Sequence, residues 1–402
     1  MIKIKPFKAF TPKANYGGKV TTRQINSYSE EELQSIIDSN PDSFLNIILR
    51  ERNEDISSSE KFKKISDLFD ESIEDGRFVQ SKNNSIYVYR QSNEEVSYTG
   101  IIAGASNEDY QQDKIKKHEH TLAKREKLFT KYLRLTGFNA EPTLLIHSKN
   151  IGLEQIQKST IEKSPLHYFT SDDGLTHELW EISDDETIEG VLNSFNEMDC
   201  LYIADGHHRS ASSSRLALET PEKESTQSVM ALFMSEENIK IHDFNRVVKN
   251  TEQKSEEEIL ESLNKDFNFI DSSESILEPR NKHEFCIYLK NKWNRIKLRK
   301  EFNSDSTVVE QLDSQIITDY ILSPIFGIED LKNDNRVDFI QGNKGLSLLQ
   351  SKVDNGKFDV AIAMYPVDVA EMKQIADEGL AMPPKSTFIE PKLRSGLTVY
   401  KF

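Results

Sequence analysis

Cysteine is scarce in this chain of 402 residues: it occurs only twice, as Cys200 and Cys286. The two lie far apart, and neither has a second thiol at metal-ligand spacing, which excludes a disulfide framework and a zinc ribbon. The chain also lacks any run of about 18 apolar residues, and residues 1–10 alternate lysine with apolar side chains instead of forming a signal sequence. We therefore expect a cytoplasmic protein with no membrane partner.

Positive charge is in short supply as well. Acidic residues outnumber basic ones by 67 to 51, which gives a formal net charge of −16, and the basic residues are scattered among the acidic ones. Such a surface repels polyanions, so nucleic acid is not expected as a partner. The 21 Phe and 13 Tyr supply ample core material, which indicates a globular chain and not a disordered one.

Local patterns predict an α/β (α+β) fold with mixed sheets. The length exceeds what one hydrophobic core usually organises, so we expect one α/β region over residues 1–250 and a second over 251–402. The final loop, residues 382–396, is expected to return to the site in the first region. Four local predictions are a helix opened by the Ser29 capping box, a buried strand at Phe44–Leu49, a hairpin of residues 85–91 and 98–105, and a polar connection over 148–164.

One turn has the chemistry of an anion site. The apolar strand Cys200–Ala204 runs into Asp205 and Gly206, and a helix is predicted for His208–Leu218. Free N–H groups at a helix start attract an anion, glycine lets it approach the backbone, and Arg209 adds a two-pronged hydrogen bond. The serines from Ser210 onward permit close packing beneath a bound group, although an ordinary capped turn would look the same.

Two other polar segments are candidates for the same site. His118-Glu119-His120 would place two imidazoles on one side of an extended segment, as a metal pair requires, but no third ligand is identifiable, so cleft lining or a solvated structural motif fits as well. A proline-stiffened loop near the C-terminus can present cations and hydroxyls to a phosphate or carboxylate, or can be an ordinary surface loop. Its candidate residues are Lys385, Ser386, Thr387, Lys392 and Arg394.

Known nucleotide motifs are missing. No Walker loop, Rossmann fingerprint or protein-kinase catalytic loop is present. Arg246, in the stretch Asn245–Lys249, is expected to brace an acidic neighbour.

A resemblance to known families favours a ligand-binding turn over an ordinary capped turn. Residues 203–209 resemble the signature loop of the ParB/sulfiredoxin superfamily, in which Gly-x-x-Arg at a helix start holds nucleotide phosphates, and the Asp-Gly-His-His-Arg form is similar to free serine kinases. Nearly the whole chain resembles a bacterial family, the domain of unknown function 1015. The matching segments are Ile4–Phe7, Ile115–Thr121, Asn245–Lys249, Met382–Thr387 and Glu390–Gly396.

Two departures from that family stand out. Many relatives carry Pro-Tyr-Asp where this chain has Ser27-Tyr28-Ser29-Glu30, and many carry Arg-Pro-Asp where it has Leu122-Ala123-Lys124. If the missing aspartate is catalytic in the relatives, Glu30 or a neighbour replaces it here, or the activity differs.

The resemblance implies a ParB/sulfiredoxin-like nucleotide-binding core and a kinase that uses ATP or ADP, with Mg²⁺, to phosphorylate the hydroxyl of a small metabolite. Free L-serine is the leading acceptor. Asp205 is expected to act as base or Mg²⁺ ligand. The nucleotide phosphates are expected to bind to Gly206, His207, His208, Arg209 and Ser210.

Two other functions stay open. The first is a nucleotide-binding regulatory protein without turnover, and the second is a metal-dependent hydrolase built on His118 and His120. The sequence carries no feature that sets the oligomeric state.

Overall fold

The computed structural model describes residues 1–49, 56–250, 252–302 and 306–402. Its contacts divide the chain into unit 1, Met1–Ile239 with Pro391–Phe402, and unit 2, Lys240–Glu390. Helices and strands alternate in both, so the predicted mixed α/β class is confirmed. The ParB/sulfiredoxin likeness of the core and the domain boundary at residue 250 stay predictions. In the described part of the chain, no helix is long and apolar enough to cross a membrane.

Unit 1 is built around one mixed sheet. The strands of unit 1 are β1 Ile4–Lys5, β2 Phe10–Pro12, β3 Phe78–Gln80, β4 Ile86–Ser92, β5 Ser97–Ser106, β6 Ile115–Lys116, β7 Phe138–Asn139, β8 Thr143–His147, β9 His167–Thr170, β10 Thr176–Ile182, β11 Leu201–Asp205 and β12 Ser228–Ser235, of which β2, β3 and β7 lie outside this sheet. Its helices are α1 Gly17–Val20, α2 Glu30–Ser39, α3 Leu45–Ile48, α4 Ser58–Glu74, α5 Asn107–Gln111, α6 Ala123–Thr136, α7 Ile151–Ile161, α8 Asp185–Asn196 and α9 His207–Glu219. Short 3₁₀ turns lie at Ile25–Ser27, Glu224–Gln227 and Glu236–Asn238.

The strand order of this sheet places β11 near one edge. The order is β6-β11-β8-β12-β5-β4-β10-β9, with β1 also paired to β5. β11 runs parallel to β6 and antiparallel to β8. The strands are held by a buried apolar cluster that includes Ile101, Leu145, Ile203 and Phe233. The carboxyl end of β11 is thereby fixed by neighbours on both sides.

The strands of unit 2 are β13 Lys240–His242, β14 Phe244–Val248, β15 Phe267–Ser273, β16 Glu284–Leu289, β17 Lys292–Leu298, β18 Val337–Gln341, β19 Val360–Ala363 and β20 Phe388–Glu390. Six of them form an antiparallel sheet in the order β15-β17-β16-β19-β14-β18, and β13 pairs with β20. The helices of unit 2 are α10 Glu256–Asp266, α11 Asp313–Ile317, α12 Ser323–Phe326, α13 Leu346–Asp354 and α14 Val369–Asp377, with a π-helical turn at Thr318–Leu322 and a 3₁₀ turn at Gly342–Lys344. The last strand, β21 Tyr400–Lys401, belongs to unit 1 and pairs with β7.

Several local predictions are confirmed. Ser29 caps α2 with a complete capping box, and β4 and β5 form the predicted hairpin. The strand and helix around residue 205 lie within one residue of their predicted bounds.

Two predictions are wrong. Phe44–Leu49 contains the helix α3 and no strand, because a short buried apolar run has no period that separates helix from strand. Residues 148–164 contain α7, capped by Asn150. Its buried face includes Gln157 and Thr160, so the apolar period that marks a helix is interrupted.

Candidate functional site

The strand that leads into the turn carries a bulge beside Asp205. Ile203 pairs with Leu145 and Asp205 pairs with Leu144, so β11 has one extra residue, Ala204, against β8. Such bulges re-aim the side chain that follows them. Asp205 therefore leaves the regular alternation of the strand, and its carboxylate is directed at the start of α9.

Helix α9 begins without a side-chain cap. Its N-cap residue is Gly206, with φ +98°, and its first turn contains no acidic residue. A Cβ at Gly206 would lie 3.0 Å from Thr143 Cγ2 and 2.9 Å from Arg209 Nε, so both the backbone angle and the space require glycine. The first N–H groups of a helix have no intrahelical partner, and here they form the positive end of the dipole of a 13-residue helix.

Backbone N–H groups of the neighbouring segment fix both histidines of the turn. The N–H of His118 donates to His207 Nε2 at 3.4 Å, and the N–H of Leu122 donates to His208 Nε2 at 3.1 Å. A nitrogen that accepts a hydrogen bond carries no proton, so the proton of each neutral ring lies on Nδ1. His207 Nδ1 faces Glu119 Oε2 at 3.8 Å.

Both rings are held in the neutral form. Burial, with a smaller effect of His208, lowers the pKa of His207 to about 3. Burial and the nearby Arg125 lower the pKa of His208 as well. The turn can therefore offer imidazole N–H donors without adding positive charge.

The charge lies in a cluster around Arg209. Its Nη2 donates to Asp205 Oδ2 at 2.6 Å and its Nη1 pairs with Glu141 Oε1, while Lys392 Nζ lies 3.1 Å from Asp205 Oδ1. Gln24 Nε2 joins the two acids, 2.9 Å from Glu141 Oε1 and 3.4 Å from Asp205 Oδ2. Two carboxylates and two cations balance one another, and each acidic side chain is about a quarter exposed, at 23% and 24%.

Three buried polar side chains near this cluster have no hydrogen-bond partner among the described residues. They are His118 at both ring nitrogens, Thr143 at Oγ1 and Ser210 at Oγ, and each is at most 2% exposed. The His118 ring packs edge-on against His207 at 4.4 Å, and burial lowers its pKa to about 3. Unpaired buried polar groups cost free energy, so a set of them around an uncapped helix start indicates a place for a polar ligand.

Ser210 differs from the serines that follow it. Ser212 Oγ donates to Glu126 O at 3.2 Å, Ser213 Oγ accepts from Asn107, and Ser214 Oγ accepts from Gln111. Those hydroxyls hold α9 against its neighbours and leave Ser210 as the one that is available to the turn.

Not every predicted site residue is part of this group. His120 and Glu30 are both exposed, and Glu30 is the first residue of α2. Arg394 donates to Asp173 Oδ1 at 2.7 Å and to Ser171 Oγ at 3.0 Å, in the turn between β9 and β10. The roles of these three residues in the site stay predictions.

Residues 385–387 belong to unit 2, where they are described separately. Ser386 Oγ lies 2.8 Å from Ser314 Oγ, and the carbonyl of Lys385 accepts from Arg246 Nη2 at 3.1 Å. The expected part of Lys385, Ser386 and Thr387 in the ligand cleft stays a prediction.

Sequence analysis missed two members of the charge cluster, Gln24 and Glu141. Glu141 lies between β7 and β8, in Asn-Ala-Glu-Pro, and Gln24 precedes a 3₁₀ turn. Neither stretch has a spacing that marks chemistry, and only the pairing of distant segments brings them to Arg209.

The pair His118 and His120 does not have the geometry of a metal site, since one side chain is buried and the other exposed. Within residues 1–49, 56–250, 252–302 and 306–402, no group of three or more His, Cys, Asp or Glu side chains is arranged to hold a metal ion.

Comparison with known proteins identifies the family. The model of the family described as protein of unknown function (DUF1015) matches residues 4–315, and the chain belongs to this family. Among curated proteins, none matches the sequence.

Solved structures give only distant likenesses. A free serine kinase in complex with AMP is 15% identical, with 74% of this chain and 91% of that chain covered and a TM-score of 0.36. A mutant free serine kinase in complex with ADP has the same identity, coverages of 74% and 92%, and a TM-score of 0.37. SbnI from Staphylococcus aureus, with a C-terminal truncation, is 11% identical, with coverages of 72% and 82% and a TM-score of 0.37. Likenesses at this level leave the function to be argued from the site.

Proposed function

We propose that this member of the DUF1015 family is a nucleotide-dependent kinase that phosphorylates the hydroxyl of a small metabolite, with the nucleotide phosphates held at the start of α9. One observation carries the proposal: an uncapped helix start behind Gly206 is surrounded by buried, unpaired polar groups and adjoins two carboxylates. Helix starts bind phosphate through N–H groups and the helix dipole. Carboxylates at the same place can accept the proton of the hydroxyl group that is phosphorylated.

The phosphate contacts follow from the donors that the turn presents. The N–H groups of the first turn of α9, the Nδ1–H of His208 and the hydroxyl of Ser210 are suited to phosphate oxygens. Gly206 lets the phosphate approach the backbone. Arg209 then has two roles, since it holds Asp205 and Glu141 and carries the charge that a phosphate would share.

The carboxylate of Asp205 is our candidate for the base. In the proposed step, the acceptor oxygen forms a bond to the terminal phosphorus, the bond between that phosphorus and the bridging oxygen breaks, and the hydroxyl proton passes to Asp205. Lys392, 3.1 Å from Asp205 Oδ1, offsets negative charge that develops nearby. Positioning and charge stabilisation of this kind account for most of the catalysis in phosphoryl transfer.

The donor set also fits Mg²⁺. Asp205 and Glu141 provide hard carboxylate oxygens that meet at Gln24, and Mg²⁺ is commonly held by one or two carboxylates together with substrate phosphates. The ion would neutralise phosphate charge. Asp205 can serve as its ligand or as the base, and ATP or ADP can be the donor.

Free L-serine is the proposed acceptor. It is supported by the resemblance of residues 205–209 to free serine kinases, and the site itself adds that the acceptor must carry a hydroxyl within reach of Asp205. Glu30 remains the proposed replacement for the aspartate of the missing Pro-Tyr-Asp element.

A second function is supported by the same cluster. Both carboxylates are already engaged by cations, as in a protein that binds nucleotide for regulation without turning it over. The two functions differ in turnover and share nucleotide binding.

Phosphorus NMR of the chain with Mg²⁺, serine and either ATP or ADP tests both proposals. A kinase gives a phosphomonoester signal and the corresponding nucleoside product, and Asp205→Asn abolishes both while nucleotide still binds. Asp199→Asn, an exposed acid before the start of β11, serves as the control and should leave turnover unchanged. Nucleotide binding without product across a panel of hydroxylated metabolites would support the regulatory protein, and absence of nucleotide binding would overturn both.

A further inference from the structure

Unit 2 contains a buried arginine whose guanidinium donates to carbonyl oxygens and not to a carboxylate. The Arg246 side chain is 0% exposed, and among the described residues no carboxylate forms an ion pair with it. Its Nη1 donates to Phe244 O and its Nη2 to Lys385 O at 3.1 Å, while its Nε has no partner in the described part of the chain. Its guanidinium lies 4.4 Å from the ring centre of Phe339.

A second cation shares these neighbours. The Lys385 ammonium lies 5.2 Å from the ring centre of Phe244, the residue whose carbonyl Arg246 binds. Lys385 is exposed and, over the residues that the structure describes, has no ion pair either. The charge of Arg246 interacts with the buried carboxylate of Asp243, so Lys385 is the cation of the two that is left without an acidic partner.

The backbone of Lys385 is held in an unfavourable conformation. Its φ is +59°, a left-handed angle that costs a non-glycine residue free energy and persists only where the surroundings impose it. Arg246 binds its carbonyl from one side, and the next residue, Ser386, is tied to Ser314 through buried hydroxyls. These contacts fix the backbone of Lys385 in this conformation.

Two acids, Glu390 and Asp243, lie in the same region of unit 2. Glu390 accepts from Asn343 at 2.8 Å and lies 3.0 Å from His242 Nε2. The carboxylate of Asp243 lies over Gly342, and burial raises its pKa to about 6. Neither forms an ion pair with Arg246 or Lys385, although the charges of Asp243 and Arg246 interact.

We propose that Arg246 and Lys385 form an anion site on unit 2 that takes a phosphate or carboxylate group, with Lys385 as the direct contact and Arg246 as the residue that positions it. Cations of this kind form charge-assisted hydrogen bonds to both groups, and an anion would pair with the Lys385 ammonium, which has no ion pair in the described part of the chain. The proposal does not rest on the nucleotide function proposed for unit 1.

Titration calorimetry of the full chain with inorganic phosphate, and in parallel with acetate, at low ionic strength tests this site. The test variant is Lys385→Asn, because asparagine tolerates the left-handed backbone and removes only the ammonium. Lys357→Asn, an exposed lysine of unit 2, is the matched control. We expect the affinity of one site to fall about tenfold or more in Lys385→Asn and to be unchanged in the control.

The two anions identify the ligand group. A Lys385-dependent site for phosphate alone indicates a phosphate ligand, one for acetate alone indicates a carboxylate, and one for both indicates a general anion site. Equal binding by wild type and Lys385→Asn, or an equal loss in Lys357→Asn, would overturn the proposal. Wild type, Lys385→Asn and Lys357→Asn all retain the proposed phosphate site of unit 1. The stoichiometry of phosphate binding that remains in Lys385→Asn therefore reports on unit 1 alone.

Arg246→Lys tests the positioning role. It keeps the charge but loses the planar fork that binds two carbonyls, so the affinity for phosphate should fall in the folded protein. Circular dichroism establishes that the variant is folded. Wild-type affinity with only a lower melting temperature would show that Arg246 stabilises unit 2 without serving an anion site.

Discussion

Each of the two proposed sites contains an arginine, and the two arginines are compensated differently. Arg209 in unit 1 is paired with two carboxylates, whereas Arg246 in unit 2 contacts two carbonyls and an aromatic ring. Burial lowers the pKa of both, Arg209 to about 10 and Arg246 to about 9, so both stay charged at neutral pH. The partners, and not the protonation state, therefore decide what each arginine can do.

The difference has a consequence for ligand binding. An anion that binds near Arg209 must share a cation that Asp205 and Glu141 already hold, so binding exchanges one ionic contact for another. An anion at Arg246 and Lys385 displaces no carboxylate. Unit 1 is suited to a ligand that brings further contacts of its own, as a nucleotide does, and unit 2 to a small anion.

The largest expected effect comes from removing each arginine in turn. Arg209→Ala leaves the partly buried Glu141 without its cation and Asp205 with Lys392 alone, which should lower the free energy of unfolding by about 3 kcal/mol. Arg246→Ala leaves two carbonyls without donors and should cost about 1–3 kcal/mol. Urea unfolding of the two variants measures both values, and a larger loss for Arg246→Ala would reverse the comparison.

Nucleotide affinity separates the roles of Arg209. Loss of a charge-assisted contact is worth about 1.5–3 kcal/mol, or about ten- to a hundredfold in affinity, and Arg209→Lys should recover only part of it. Calorimetry on the folded fraction provides the measurement. Unchanged affinity in folded Arg209→Ala would assign Arg209 to structure alone.

The two arginines also show how far the sequence could be read. The strand, turn and helix around Arg209 are local and were predicted within a residue, because alternation, glycine and helix period all lie in one stretch. The partners of Arg209 come from Gln24, Glu141 and Lys392, which are distant in sequence, and only Lys392 was predicted. Arg246 was expected to brace an acid, and its charge does interact with Asp243. The two carbonyls that its guanidinium binds were not predicted, since a single arginine in a strand carries no sign of such partners.

The two units can also be compared at a residue with positive φ. In unit 1 this residue is Gly206, whereas in unit 2 it is Lys385. Gly206→Ala adds a Cβ about 3 Å from Thr143 and Arg209 and should weaken nucleotide binding about a hundredfold, as expected when a phosphate can no longer approach the backbone. Gly174→Ala, with φ +78° and nothing within 4 Å of the new Cβ, carries the backbone cost alone. Equal nucleotide affinity in the two variants would remove the special role of Gly206.

The pH dependence of stability should have opposite signs in the two units. The pKa values of His118 and His207 fall to about 3 on folding, so the unfolded chain binds more protons below pH 6.5 and their stabilising contribution is lost as the pH falls toward 3. Burial raises the pKa of Asp313 in unit 2 to about 7, so its contribution is complete below its unfolded value and is lost as the pH rises through 7. Each such group changes the free energy of unfolding by about 1.4 kcal/mol per pH unit between its two pKa values.

Unfolding at several pH values between 4 and 7 tests this contrast. His118→Phe should reduce the loss of stability on acidification, whereas Asp313→Asn should reduce the loss as the pH rises toward 7. His120→Gln, at an exposed position, is the control. Identical pH profiles for His118→Phe and wild type would show that the imidazole is not held neutral by burial.

The smallest expected effect concerns two buried serines with opposite hydrogen bonding. Ser386 Oγ in unit 2 lies 2.8 Å from both Ser314 Oγ and Pro383 O, whereas Ser210 Oγ in unit 1 has no partner among the described residues. Ser386→Ala should therefore lower the free energy of unfolding by about 1 kcal/mol, and Ser210→Ala should leave it unchanged or raise it, because it removes an unpaired buried hydroxyl. If Ser210 serves the nucleotide phosphate, Ser210→Ala should still weaken nucleotide binding by about fivefold, the value of one neutral hydrogen bond. The free energy of unfolding and the nucleotide affinity, measured on the same preparations, distinguish the two roles of the Ser210 hydroxyl. A Ser210→Ala protein that loses stability but binds nucleotide normally would assign this hydroxyl to the fold and not to the ligand.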